Sequence, residues 1–227
     1  MGLFFDTTYV LVVIGALIGA WASWNVNSTF RKYSSVGNSR RITAEQAAQA
    51  ILNGAGIYDV RIERVRGNLT DHYSPREKVL RLSDSVYGSQ SVAAIGVAAH
   101  ECGHAIQHNK GYAPIKIRAA VIPLANIGSS LSWPVIILGL IMGWTGLMNI
   151  GIVLFSMVVI FQLITLPVEF DASNRALRIL QSNNMLYSQE LNASRKVLIA
   201  AALTYVAALL SSILQLLRLV LLSRRRK

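Results

Sequence analysis

The sequence holds a single cysteine, Cys102, among 227 residues. No internal disulfide can form, and cysteine usage says nothing about the redox compartment. Acidic residues are scarce as well: 11 Asp and Glu stand against 22 Lys and Arg, for a formal net charge of +11. Such a balance suits either nucleic acid or an anionic lipid surface. The distribution favours lipid, because Lys and Arg flank apolar segments and no basic stripe interleaved with aromatics is present. No nucleic-acid partner is expected, and there are no internal repeats or low-complexity tracts.

The most informative gaps are the stretches without charge. Tyr9 to Trp24, Ala119 to Trp144, Leu147 to Val168 and Val197 to Leu217 contain no Asp, Glu, Lys or Arg. A bilayer crossing needs roughly 20 apolar residues. With 53% hydrophobic residues and a mean hydropathy of +0.44, the chain reads as an α-helical integral membrane protein with about four membrane segments. Met1 to Thr8 contain no Lys or Arg and carry Asp6, so the first segment, extended by Phe4 and Phe5, is expected to be a retained anchor. The pore or transporter class is disfavoured, since Asn126 and Gln162 are the notable polar side chains of these segments and no acidic relay is present.

Between the first and second segments lie 13 of the 22 Lys and Arg, while the Thr145-Gly146 turn carries none. The positive-inside rule therefore puts the first loop in the cytoplasm and the turn outside. Two crossings return the chain to the cytoplasm at Glu169, where Arg175, Arg178, Arg195 and Lys196 agree. A fourth full crossing would leave Arg224, Arg225, Arg226 and Lys227 outside, against the rule. Either the last helix lies partly in the interface or the bias is overruled there.

From Ser28 to Arg118 the composition is that of a water-exposed part. Thr43 with Gln46 predicts a capping box, with Gly54 or Gly56 ending the helix. YDVRIERVRG and KVLRLSD read as two strands of a hairpin, with turn chemistry at Ser74 and Pro75. Ser89 or Ser91 can then cap a helix through VAAIGVAAHECGHAIQH, which lasts until Asn109, Lys110 and Gly111.

His100 and His104 are four residues apart on that helix, so both imidazoles leave one face and can bind one Zn2+. Glu101 sits beside the first histidine, where a general base can take a proton from the attacking water. With 4 His in the chain, an accidental HExxH match arises in about 0.2% of such sequences. A third ligand is needed. His108 lies eight residues from His100, about 12 Å along a helix at 1.5 Å per residue, so the three cannot share one ion. His108 is expected to be a polar helix-end residue, and His72 a surface residue of the hairpin.

Glu169 in LPVEFDASNRA is the better third ligand, because Pro167 suits a helix start and the intervening apolar hairpin returns the chain to the same side. The competing reading is a solvated acid at a helix start. Asp171, two residues on, points to another face. Arg175, Tyr73 and Tyr87 are candidates for stabilising an oxyanion. KVLRLS could take a peptide as an added strand if it has a free edge. Cys102 reads as a small packing residue. The pairs Gly15 with Gly19 and Gly139 with Gly143 could pack helices within a chain or in a homo-oligomer.

LTDHYSPREKVLRLS, VYGSQSVAAIGVAAHECGHAIQH, the apolar hairpin and LPVEFDASNRA together resemble the YugP-type membrane-bound neutral zinc metallopeptidases of bacteria, over about Thr43 to Ala176. The layout is also similar to the HtpX-like and CAAX-prenyl-type membrane proteases. The resemblance implies a membrane-embedded gluzincin with His100, His104 and Glu169 on Zn2+ and Glu101 as catalytic base, acting on a protein or peptide substrate. In those relatives an aspartate four residues after the glutamate supports a histidine ligand. This chain has Ser173 there, which leaves Asp171 and Asn174 as substitutes.

The expected organisation is an N-terminal membrane anchor over 1–27, a small α+β zincin-like catalytic part over 28–118, and a transmembrane hairpin over 119–168. A helix with the third zinc ligand follows over 169–196, then a C-terminal membrane helix and basic tail over 197–227. The expected activity is zinc-dependent hydrolysis of membrane or membrane-proximal proteins, at the cytoplasmic face of a multi-pass cell-membrane protein. The alternative is a non-catalytic membrane adaptor or assembly factor with a structural zinc, although structural sites usually fill all four metal positions with protein ligands.

Overall fold

The computed structural model describes residues 7–224. Phe4, Phe5 and Asp6 of the expected anchor and Arg225, Arg226 and Lys227 of the basic tail lie outside the described residues. The elements in chain order are α1 (Tyr9–Ser34), α2 (Ala44–Gly54), β1 (Arg61–Val65), β2 (His72–Ser74), β3 (Val79–Ser83), α3 (Val92–Asn109), α4 (Ala113–Ile141), α5 (Thr145–Ser182) and α6 (Ser188–Arg224). The structure is mostly helical, and α1, α4, α5 and α6 are long and apolar enough to cross a membrane. Residues group into two compact units: a helical unit of residues up to Ser23, Ile117–Leu166 and those from Leu203, and a mixed unit of Trp24–Lys116 and Pro167–Ala202.

In the helical unit, the turn between α4 and α5 comes earlier than the sequence predicts, at Met142 to Trp144 rather than Thr145-Gly146. Gly143 explains the shift. Its φ of +63° suits a residue without a side chain, and Trp144 N–H reaches back to Gly139 O at 2.9 Å to close the helix end. Ser211 Oγ donates to Gly15 O at 2.8 Å, and Ser223 Oγ to Asn149 Oδ1 at 2.7 Å, so these two hydroxyls on apolar helices find their partners within the chain.

The mixed unit is built on α2, α3 and a three-stranded sheet. The capping box forms as the sequence predicts: Gln46 N–H donates to Thr43 Oγ1 at 3.4 Å and Thr43 N–H to Gln46 Oε1 at 3.0 Å. Gly56, with φ +71°, ends this helix. The expected hairpin of β1 with β3 is not what forms. These strands pair in parallel, Ile62 opposite Leu80, and β2 pairs antiparallel on the other side of β3, Tyr73 opposite Leu80. The turn at Ser74 and Pro75 closes the β2–β3 hairpin instead. At three residues, β2 is too short to register as an alternating pattern. With the order β1-β3-β2, KVLRLS is the central strand and has no free edge for an added peptide. Leu80, Leu82, Ile95, Ile51, Leu52 and Leu180 are fully buried between sheet and helices.

Pro167 does not start a helix. α5 runs from Thr145 through Ser182 with Pro167 inside it. Proline removes one backbone donor, an interruption that long membrane helices tolerate. Glu169 therefore lies within a continuous helix, with Ser173 one turn further along the same face.

Candidate metal centre

Helix α3 supplies two of the candidate ligands. Ser91 caps it, with Ala94 N–H donating to Ser91 Oγ at 3.1 Å, and Gly111 closes it at φ +64°. His100 and His104 stand on one face with ring centroids 4.7 Å apart and planes at 84°. Their Nε2 atoms converge on a single oxygen, Oε2 of Glu169, at 3.3 and 3.5 Å. The ligand atoms of all three residues lie within 4.8 Å of one another.

A close helix crossing makes this possible. A Cβ added at Gly103 would come within 2.6 Å of the Ala172 carbonyl oxygen on α5. Gly103 sits beside His104 and Ala172 beside Ser173, so the missing side chain brings the two faces together.

The donor set fits zinc. Two atoms each about 2.0–2.1 Å from a tetrahedral ion stand about 3.4 Å apart, close to the 3.3 and 3.5 Å found here. A direct charge-assisted hydrogen bond would draw nitrogen and oxygen to about 2.8 Å. The other ring nitrogens are occupied: His100 Nδ1 meets Ser173 Oγ at 3.0 Å and His104 Nδ1 meets Gln107 Oε1 at 3.1 Å.

The second contact fixes a proton. Gln107 Nε2 donates to Val168 O and to Asp171 Oδ2, both at 2.8 Å, and both partners only accept. Its oxygen must then face His104. That oxygen can only accept, so His104 carries its hydrogen on Nδ1 and presents the Nε2 lone pair to the metal position. Asp171 is held in turn by Arg175 Nε at 2.5 Å, and the Arg175 guanidinium lies 5.4 Å from the Tyr112 ring centroid.

The sequence reasoning missed Gln107, which is fully buried. Its signal was available: a polar residue three places after a candidate ligand on one helix face. Ser173, read as a departure from the related pattern, itself makes the contact to His100. Asp171 reaches His104 through Gln107, and Asn174 is exposed. Asp71 was also missed. Its carboxylate accepts Ser83 N–H at 2.7 Å and Ser83 Oγ–H at 2.8 Å. Burial pushes its pKa above the ordinary carboxylate value, and the charge of nearby Glu101 adds to that.

Glu101 is 8% exposed. His108 lies outside the cluster, with Nδ1 3.5 Å from the Tyr73 hydroxyl. His72 is exposed on β2. Tyr87 is 37% exposed. The Cys102 thiol is fully buried and donates to Ala48 O at 3.6 Å, with burial pushing its pKa far up.

Comparison with known proteins points to zinc as the metal. No solved structure matches the chain. A curated relative from Bacillus subtilis (strain 168), named "Putative membrane protease YugP", is 46% identical over 215 residues, covering 94% of this chain and 96% of the relative. The family model described as "Putative neutral zinc metallopeptidase" matches residues 8–224. A match of that extent decides membership: the chain belongs to this neutral zinc metallopeptidase family, and its cluster of His100, His104 and Glu169 could hold the metal.

Proposed function

We propose that this chain is a membrane-embedded, zincin-like endopeptidase of the gluzincin type. His100, His104 and Glu169 hold zinc, and Glu101 is the general base. The reading rests chiefly on the convergence of two imidazole Nε2 atoms on Glu169 Oε2, at 3.3 and 3.5 Å. When bound, zinc supplies a Lewis acid that polarises the scissile carbonyl and acidifies the attacking water.

The remaining work belongs to the chain. Glu101 takes a proton from the attacking water and passes it to the leaving amine nitrogen. Ser173 and Gln107 hold the two imidazoles in the orientation that exposes Nε2. Asp171 and Arg175 keep Gln107 in place rather than touching substrate. The structure of Asp71 with Ser83 fixes the end of β3 near the base. A cavity of about 110 Å3, lined by Phe170, Leu177, Leu198 and Ala202 with Ser173, Asn174 and Arg195, suits an apolar substrate side chain next to His100's partner. Apolar side chains are what segments of membrane and membrane-proximal proteins offer. The positive-inside bias puts this chemistry at the cytoplasmic face.

The test is zinc content and peptide hydrolysis of detergent-purified chain. Glu101→Gln should retain zinc near one per chain and lose about 10²–10⁴-fold in hydrolysis. Glu169→Ala should lose the metal. Hydrolysis that survives Glu101→Gln, or zinc retained without Glu169, overturns the assignment.

A further inference from the structure

A second cavity has no part in this chemistry. It measures about 370 Å3 and is lined by Asn25, Thr29, Lys32 and Tyr33 of α1 and by Lys196, Ile199 and Ala200 of α6. The spacing explains the lining. Asn25, Thr29, Lys32 and Tyr33 recur at four and three to four residues, one stripe of α1, and Lys196, Ile199 and Ala200 form the corresponding stripe of α6.

Its chemistry is one-sided. Two lysines, an amide and two hydroxyl-bearing residues, Thr29 and Tyr33, line it, and no carboxylate does. Among the described residues neither lysine makes an ion pair. Lys32 Nζ lies 5.5 Å from the Tyr33 ring centroid. Lys32 follows the uncharged run of α1, with Arg31 beside it, and Lys196 directly precedes the uncharged run that starts at Val197. Each lysine therefore stands where an apolar helix meets polar chain, the level of phospholipid headgroups. Ile199 and Ala200 add an apolar wall beside the cations.

We propose that this cavity binds the phosphate of an anionic phospholipid, with Lys32 and Lys196 neutralising it, Asn25 and Thr29 donating hydrogen bonds, and Ile199 and Ala200 meeting the start of an acyl chain. The shared chemistry with free phosphate is the anionic oxygen cluster. The apolar wall and the position at the ends of two uncharged runs favour the lipid.

The test is native mass spectrometry of the full chain released from micelles offering equal phosphatidylcholine and phosphatidylglycerol. The unaltered chain should retain phosphatidylglycerol with a preference of about tenfold. Lys32→Gln with Lys196→Gln should abolish the preference, and Lys32→Arg with Lys196→Arg should keep it. Each single Gln variant should lose part of it. An equal charge loss at Arg61 and Arg66, exposed residues elsewhere, should leave it intact. Equal retention of both lipids by the unaltered chain overturns the site. So does an undiminished preference in the double Gln variant, or a matching loss in the Arg61 and Arg66 variant, which assigns the effect to net charge. Displacement of the lipid by excess inorganic phosphate overturns the lipid assignment in favour of a free anion.

Discussion

The two units of this chain keep their large apolar side chains in opposite places. In the mixed unit Leu80, Leu82 and Ile95 are fully buried, while in the helical unit Leu17 is 65% exposed, Ile141 78% and Leu163 58%. One unit hides its apolar surface from water inside itself, as a soluble domain does. The other carries it outward, where lipid tails solvate leucine about as well as another leucine would. The helical unit packs backbone closely, as where Gly128 meets the Leu154 carbonyl, and adds hydrogen bonds such as Ser223 on Asn149.

The largest effect should come from making the same deletion in both. Leu82→Ala leaves a cavity in the mixed unit and should cost about 2–5 kcal/mol, read as a lower unfolding midpoint in detergent. Leu17→Ala removes a side chain from an outward face and should cost less than about 1 kcal/mol. Equal losses would mean that the two units are held by the same force.

A second break lies within the mixed unit, where α3 and α5 touch without a side chain between them. Gly103→Ala pushes a methyl group into the Ala172 carbonyl, 2.6 Å from the added Cβ. It should cost about 1–3 kcal/mol of stability and, because the proposed ligands sit on either side, also lower zinc content. Normal zinc in a destabilised variant would separate the crossing from the metal centre.

The parts legible in the sequence were those whose signal is local. The Thr43 capping box, the Ser91 cap, the four uncharged runs and the pair His100 and His104 each depend on residues within one element. The sequence also groups Glu169 with the histidines, as the cluster does, although Pro167 lies inside α5 and does not start a helix. What stayed hidden is tertiary. No local pattern says that Gly103 must clear Ala172, that Ser173 meets His100 Nδ1, or that a three-residue β2 slips onto β3 and turns an expected hairpin into a parallel pair.

Gln107 sharpens the distinction between binding the metal and orienting what binds it. Gln107→Leu keeps the bulk but removes the acceptor for His104 Nδ1–H and leaves Asp171 to Arg175 alone. Zinc affinity, measured by competition with a chelator, should fall about 10–100-fold, while the unfolding midpoint of the zinc-free chain moves less than in Leu82→Ala. Gln107→Glu, with a proton on the oxygen that faces Val168 O and Asp171 Oδ2, still offers an acceptor to His104 and should recover part of the affinity. If both variants weaken zinc equally, the effect is packing and not orientation.

The smallest effect belongs to the loop that carries the chain from β1 towards β2. Asp84 accepts Gly67 N–H at 2.9 Å and Arg64 Nε–H at 2.7 Å, and the Gly67 bond chiefly holds its pKa below the ordinary carboxylate value. A lowered folded-state pKa stabilises the fold at pH values above the unfolded one, about 3.9, and that stabilisation fades as pH falls through the folded value. Asp84→Asn should therefore lower stability slightly at neutral pH and flatten the decline in acid. Because the pair is exposed, the difference should be a small shift of the midpoint, vanishing at the lowest pH. It should leave zinc content untouched, since this end of the sheet carries none of the proposed metal ligands. A loss of zinc in this variant would instead tie the β1–β2 loop to the metal centre through Ser83, which sits next to Asp84 and is held by Asp71 beside Glu101.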